Sequence, residues 1–164
     1  MQNKTLKLTA GAMIAALYVV LTFVSQVMGL ASGPVQLRLS EALTVLPVLT
    51  SAAIPGLFVG CFLANLLTGC ALWDVILGSI ATLLGALGTR YFRRYKWSAP
   101  IFPILSNAII VPFVLQYVYR FEGAYFYFMA TVGIGEILSC GVLGLLLLKM
   151  LERTKVSDRL ERLG

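Results

Sequence analysis

From Leu43 to Leu72 the chain reads LTVLPVLTSAAIPGLFVGCFLANLLTGCAL, a stretch without one charged side chain. As a single helix its roughly 30 residues would be about 45 Å long, against a bilayer hydrocarbon core of about 30 Å. A break is needed, and SAAIP, Ser51 to Pro55, is the best place for it. Divided there, the stretch supplies two crossings instead of one.

On either side lie further apolar runs. Leu8 to Met28 precedes a Gly/Ser/Pro-containing link from Gly29 to Pro34 and the polar cluster Gln36, Arg38, Ser40 and Glu41. Val75 to Thr89, Ala99 to Tyr119 and Tyr125 to Leu148 follow, separated by the basic loop Arg90 to Lys96 and by Arg120 and Glu122. The expectation is a single all-α integral membrane domain over residues 1–164 with six crossings, at about 8–28, 41–51, 54–71, 74–91, 99–119 and 125–149. Lys and Arg near helix ends favour the cytoplasmic side. Six spans with both termini inside place Lys4, Lys7, the Arg90 to Lys96 loop and the basic carboxyl end there, leaving only Arg38 and Arg120 outside. Five spans would put the Arg90 to Lys96 loop outside, against the bias.

Composition agrees with a lipid setting. Hydrophobic residues make up 59% of the 164 positions and charged residues 12%, with a mean hydropathy of +0.90, outside the range of ordinary water-soluble domains. The net charge of +6 sits at the ends of apolar runs and forms no patch interleaved with aromatics, so nucleic acid is not the expected partner. Lys4 and Lys7 ahead of an apolar run resemble a signal peptide, but the run is about 20 residues long without an A-x-A-like site, which reads as a retained first span. Leu151 to Gly164 is a short charged amphipathic tail, read as a solvated helix end.

Cys61, Cys70 and Cys140 lie within apolar runs without CxxC or Cys/His spacing, which suggests small packing residues and neither a disulfide framework nor a metal site. No G-x-x-x-x-G-K-[ST] loop and no H-E-x-x-H is present, and His is absent. No enzymatic chemistry and no cofactor are expected, and energy for any uphill transport must come from elsewhere.

Two kinds of residue then invite a role. Small residues allow close helix approach in lipid: Gly11/Ala15 and Ala12/Ala16 in the first span, Gly56/Gly60/Ala64 in the third, and Gly78, Ala81, Gly85 and Gly88 in the fourth. Packing within the chain is the simpler reading, and the first-span stripe is also a candidate meeting surface for another protein. Glu136 is the ionisable group set deep in a span, where insertion costs about 2.5 to 3.5 kcal/mol, and such a residue is a functional hypothesis by default. It shares a helix face with Gly133, Cys140 and Gly144 and so looks into the bundle. Its carboxylate can hold a ligand or be satisfied by an internal amide. Asn107 and Asn65 offer a donor and an acceptor each, for a polar planar solute or as interhelical glue. Gln36, Arg38, Glu41, Trp73, Asp74, Arg120 and Glu122 fall on outer links that could form a lid. For Trp73 and the Tyr119 to Tyr127 aromatics, the interfacial belt is the simpler reading.

GPVQLRLSEALTVLP (Gly33 to Pro47), AAIPGLFVGCFLANLL (Ala52 to Leu67), DVILGSIATLLGAL (Asp74 to Leu87), Asn107 and VGIGE (Val132 to Glu136) together resemble the QueT family over nearly the whole chain. These are the substrate-binding S components of energy-coupling factor (ECF) transporters, assigned to queuosine precursors. AGAMIAAL at the amino end is similar to the Ala-rich first helix by which S components meet the transmembrane coupling protein. The resemblance implies a six-helix bundle in the bacterial plasma membrane that captures a 7-deazaguanine, such as the 7-cyano or 7-aminomethyl form. Its partners would be a coupling protein, met through Gly11, Ala12, Ala15 and Ala16, and two ATPases. Chemical matching adds that Glu136 suits the heterocycle's adjacent N–H and amine donors and an amide or Arg its carbonyl, with an aromatic such as Trp73 or Phe126 over the ring face. An S component for another solute, or a structural membrane protein in which Glu136 only locks helices, are the alternatives.

Overall fold

The computed structural model describes residues 2–31 and 35–162, so part of the Gly29 to Pro34 link and the start of the Gly33 to Pro47 motif lie outside the described residues. The described chain is helical throughout, with no strand among the described residues. It comprises α1 (Gln2–Val27), a 3-10 segment (Leu39–Val48), α2 (Ala53–Leu67), α3 (Leu72–Tyr91), α4 (Ile101–Tyr117), α5 (Tyr125–Glu136), a π-helical segment (Ile137–Gly144), α6 (Leu145–Glu152) and α7 (Lys155–Glu161). A short 3-10 turn, Lys96–Ser98, leads into α4. α5, the π segment and α6 run on as one rod.

Four of these rods, Lys4–Val27, Leu72–Tyr91, Lys96–Tyr117 and Tyr125–Glu152, are long and apolar enough to cross a membrane. The uncharged stretch around SAAIP does turn, at Leu49 to Ala52, but the helices on either side of the turn are short. α2 has 15 residues, about 22 Å of rise. Pro55 falls in its first turn, where the missing N–H would have no intrahelical partner in any case.

The Leu39–Val48 segment departs most from the expected lipid-facing helix. Ser40 through Val48 are all buried, and the segment touches α1, α2, α3, α6 and the π segment. Its ten residues at about 2.0 Å each span about 20 Å. An unusual helix at that depth is tolerated because neighbouring protein surrounds it, leaving no backbone group facing acyl chains. Two N–H groups at its entry, which a helix start leaves without intrahelical acceptors, go to side chains of other rods: Arg38 N–H to Ser139 Oγ at 3.1 Å and Leu39 N–H to Ser25 Oγ at 2.8 Å.

α1 lies on α2 at backbone contact. A Cβ at Gly56 would stand 2.6 Å from the Gly11 carbonyl oxygen, and one at Gly60 would stand 3.0 Å from Ala15 Cα. No side chain fits there, which is why the small residues recur every fourth position on both helices. Buried hydroxyls on these apolar helices are satisfied locally. Ser25 bonds the Leu21 carbonyl at 2.8 Å, Ser79 that of Val75 at 2.6 Å and Thr82 that of Gly78 at 3.0 Å. The carboxyl tail is held more firmly than a solvated end. Lys96 pairs with Glu152 and Glu161 at 2.7 and 3.3 Å, Leu160 packs on the core and Ser157 is buried.

Candidate functional site

The rods part around a cavity of about 260 Å³. On α3 it is lined by Asp74, Gly78 and Thr82, and on α4 by Asn107, Val111 and Leu115, each set spaced by four residues so that one helix stripe faces inward. Thr22, Ser25 and Gln26 near the carboxyl end of α1, Cys61 of α2 and Thr68 just past its end, Tyr119 and Phe121 beyond α4, and Val132 and Glu136 of α5 complete most of the wall. The link into the 3-10 segment adds Gln36 and Arg38, and the segment itself adds Glu41.

Three buried polar side chains meet deep in this wall. Asn107 Nδ2 donates to Glu136 Oε1 at 2.9 Å and lies 3.5 Å from Glu41 Oε2. Cys140, one turn beyond Glu136, donates its thiol to Glu136 Oε2 at 3.0 Å, and the Tyr18 hydroxyl donates to Glu41 Oε1. Glu41 is 2% exposed, Asn107 4% and Glu136 8%, so bulk water screens these contacts little. A carboxylate offers about four lone-pair directions, so Glu136 keeps acceptor capacity beyond these two bonds. The Arg38 guanidinium forms no hydrogen bond or ion pair within 4 Å among the described residues. It is therefore a free donor at the cavity wall.

Local backbone sets this geometry. The switch from α-helix to π-helix immediately after Glu136 adds an offset in the rod; such offsets are frequent at functional sites. One residue earlier, a Cβ at Gly135 would stand 2.2 Å from the Gln36 carbonyl oxygen. Only glycine lets the link carrying Arg38 approach α5 this closely.

Of the eight residues expected at a solute site, Glu136, Asn107, Glu41, Arg38 and Gln36 converge on the cavity. Glu41 belongs to its buried wall and not to an outer lid, because the segment that carries it runs inside the bundle. Asn65 is outside the cavity lining, 1% exposed, with Nδ2 3.6 Å from Cys61 Sγ and Oδ1 without a hydrogen-bond partner among the described residues. Trp73 and Phe126 are 61% and 73% exposed and do not line the cavity, in keeping with an interfacial belt. Asp74, expected on a lid-forming link, and Tyr119, expected in the interfacial belt, belong to the wall as well. The Tyr119 hydroxyl donates to Asp74 Oδ2 at 2.9 Å and accepts the Ala71 N–H at 3.1 Å.

Ligand atoms of Glu41, Glu136 and Cys140 lie within 4.8 Å of one another, a spacing at which a cation could be shared. Each of the three already takes part in the hydrogen-bond network. On α1 the expected stripe divides: Gly11 and Ala15 are buried, whereas Ala12 and Ala16 are exposed.

The model of the QueT transporter family matches residues 8–153. The chain belongs to that family. A relative from Lactococcus lactis subsp. cremoris (strain MG1363), called queuosine precursor transporter QueT, is 27% identical over 95% of this chain and 98% of its own length. No solved structure gives a significant match. Membership in the QueT family makes this chain a membrane transporter of a small solute.

Proposed function

We propose that the chain is the solute-binding membrane subunit of an energy-coupling factor importer, and that its solute is a queuosine precursor of the 7-deazaguanine type. The observation that carries this reading is the cavity of about 260 Å³ on which Glu136, Glu41, Asn107 and Arg38 converge. Sites for drug-sized ligands run from about 300 to 1,000 Å³, so this one suits a small heterocycle. A bond between Asn107 and Glu136 alone would equally describe two helices locked together; the void beside them favours a ligand.

Recognition follows from donor and acceptor matching. Asn107 and Cys140 fix the Glu136 carboxyl before the solute arrives, so little ordering is left for binding to accomplish. The free acceptor capacity of Glu136 meets the ring N–H and exocyclic amine, and Arg38 or Asn107 meets the carbonyl. A purine analogue without those donors leaves a buried carboxyl unpaired and is strongly rejected.

Orientation follows from charge. The cavity extends to the end of α3 and α4 that carries Asp74 and Tyr119, opposite the basic Arg90 to Lys96 loop. With that loop cytoplasmic, the chain makes six crossings of the cell membrane, both termini lie inside, and the cavity faces outward. The 3-10 segment and α2 are the two short crossings, sheltered by the longer ones. Uptake then draws on a transmembrane coupling protein and two ATPase subunits. Ala12 and Ala16, which α2 leaves uncovered, are the part of the α1 stripe available to the coupling protein.

Mass spectrometry of small molecules released from the purified protein tests the reading. A stoichiometric 7-deazaguanine is expected, and adding that compound should raise the melting temperature, by about 2.7 kcal/mol of stability at one hundred times its dissociation constant. Another vitamin-like solute would reassign the specificity. Absence of both bound solute and thermal stabilisation would leave a structural protein.

A further inference from the structure

Most of the charge on this chain is gathered at the end of the bundle away from the Asp74 side of the cavity. Arg90 Nη1 donates to the Pro47 carbonyl at 3.2 Å, a Cβ at Gly11 would stand 3.1 Å from the Ala52 carbonyl oxygen, and Lys96 pairs with Glu152 and Glu161. The turn between α3 and α4 therefore shares one end with the start of α2, the amino-terminal half of α1 and the carboxyl tail. Of the thirteen basic residues only Arg38 and Arg120 lie elsewhere, and of the seven acids only Glu152, Asp158 and Glu161 lie here. Eleven bases against three acids give this end a field of one sign.

Within that field the turn carries two guanidinium groups without a counter-charge. Both Glu152 and Glu161 are taken by Lys96. Arg93 and Arg94 are exposed, and their side chains form no hydrogen bond and no ion pair within 4 Å among the described residues. The backbone beneath them is ordered. The Phe92 N–H donates to the Gly88 carbonyl at 3.1 Å and the Tyr95 N–H to the Phe92 carbonyl at 2.9 Å, while the Phe92 ring stacks on Phe102 of α4 with centroids 4.7 Å apart. Two arginines thus leave a turn that needs little further ordering to receive an anion.

Their depth says which anion. The rods that meet here, Leu72–Tyr91 and Lys96–Tyr117, are both long and apolar enough to cross a membrane, so the turn joining them stands where the hydrocarbon ends. Tyr91, Tyr95 and Trp97 are exposed around it, and such rings settle at the level of the lipid headgroups. Arg93 and Arg94, one to four positions from those rings, are at the level of the phosphates, which a planar guanidinium binds through two N–H groups at once. A zwitterionic headgroup brings an ammonium into the positive field along with its phosphate; an anionic headgroup does not. An acidic protein surface would satisfy the arginines but gives no reason for the exposed rings at the same level.

We propose that Arg93 and Arg94 form a seat for the phosphate of an anionic phospholipid, which anchors the α3–α4 turn at the membrane surface. Thermal melting of the purified chain in dodecyl maltoside, without partner subunits, tests the assignment. Added phosphatidylglycerol should raise the melting temperature, whereas phosphatidylcholine with the same acyl chains and inorganic phosphate should not. The double substitution Arg93→Gln with Arg94→Gln should melt like the parent before lipid is added and lose most of the rise. Lys4→Gln with Lys7→Gln removes as much charge from the same end and should keep it. Equal rises with both lipids, a rise with inorganic phosphate alone, or a rise that survives in the arginine variant would overturn the seat. So would an equal loss in the lysine variant, which would reduce the effect to the general field. No response to lipid, with the arginine variant failing instead to assemble with a coupling protein and ATPases, would make the turn a protein interface and contradict the proposal. None of these outcomes bears on which solute the cavity takes.

Discussion

One end of the bundle is packed to contact and the other is held apart. At Gly11 and Gly56 two backbones meet with no room for a methyl group, and a Cβ at Gly88 would stand 2.6 Å from the Phe102 ring. Toward the opposite end, helices of the same apolar composition open around Asp74, Asn107 and Tyr119. The difference lies in what each interface satisfies. Small residues gain most from closest approach, whereas Glu41, Asn107 and Glu136 need hydrogen-bond partners. A tight end supports an open one, because the rods that diverge around the cavity are fixed where they converge.

The sharpest way to break this comparison is to insert volume at the tight end. Gly56→Leu meets backbone, which cannot swing aside as a side chain could, and overpacking of this kind costs about 1–3 kcal/mol and occasionally more. A large fall in thermal stability in detergent, or loss of a monodisperse species, is expected; a melting curve like that of the parent protein would show that the contact supports nothing. Next in size is a functional loss without a structural one. Ala12→Leu or Ala16→Leu, on the uncovered face of α1, should leave solute binding unchanged and abolish ATP-driven uptake in vesicles containing the coupling protein and ATPases. Normal uptake in both would move that interface elsewhere. At the open end, Asn107→Ala frees two carboxyls from their shared donor and should weaken solute binding by about tenfold, about 1.4 kcal/mol, in calorimetric titration. Unchanged affinity would make that amide packing only. Lys96→Ala should have the smallest effect. Its exposed ion pairs to Glu152 and Glu161 are worth about 0.2–1 kcal/mol each, detectable as a small shift in melting temperature without change in binding.

How legible these two ends were differs for physical reasons. Glu136 and Asn107 stood out because a lone polar side chain in an apolar run is costly unless it has a partner or a task. The need for a turn followed from length, and SAAIP, Ser51 to Pro55, located it. Glu41 was harder. Adjoining a polar link, it reads as an outer-loop residue, but the segment from Leu39 to Val48 winds through the bundle interior and buries Ser40, Glu41 and Thr44 together. A short apolar run carries no periodicity that separates a lipid-facing helix from one enclosed by protein. Tyr119 and Trp73 illustrate the same limit for aromatics. Both flank apolar runs, yet Tyr119 lines the cavity and Trp73 is 61% exposed, a distinction set by which way the chain turns at each helix end. The division of the α1 stripe between Gly11/Ala15 and Ala12/Ala16 likewise depended on where α2 lies, which spacing on one helix does not specify.

The central claim is that the buried Glu136 carboxyl holds the solute, and isothermal titration of Glu136→Gln against the parent protein tests it most directly. The substitution keeps shape and removes charge and one acceptor, so affinity for the 7-deazaguanine should fall by at least about tenfold while the melting temperature without solute stays close to that of the parent. An unchanged dissociation constant would place the solute away from Glu136 and contradict the account.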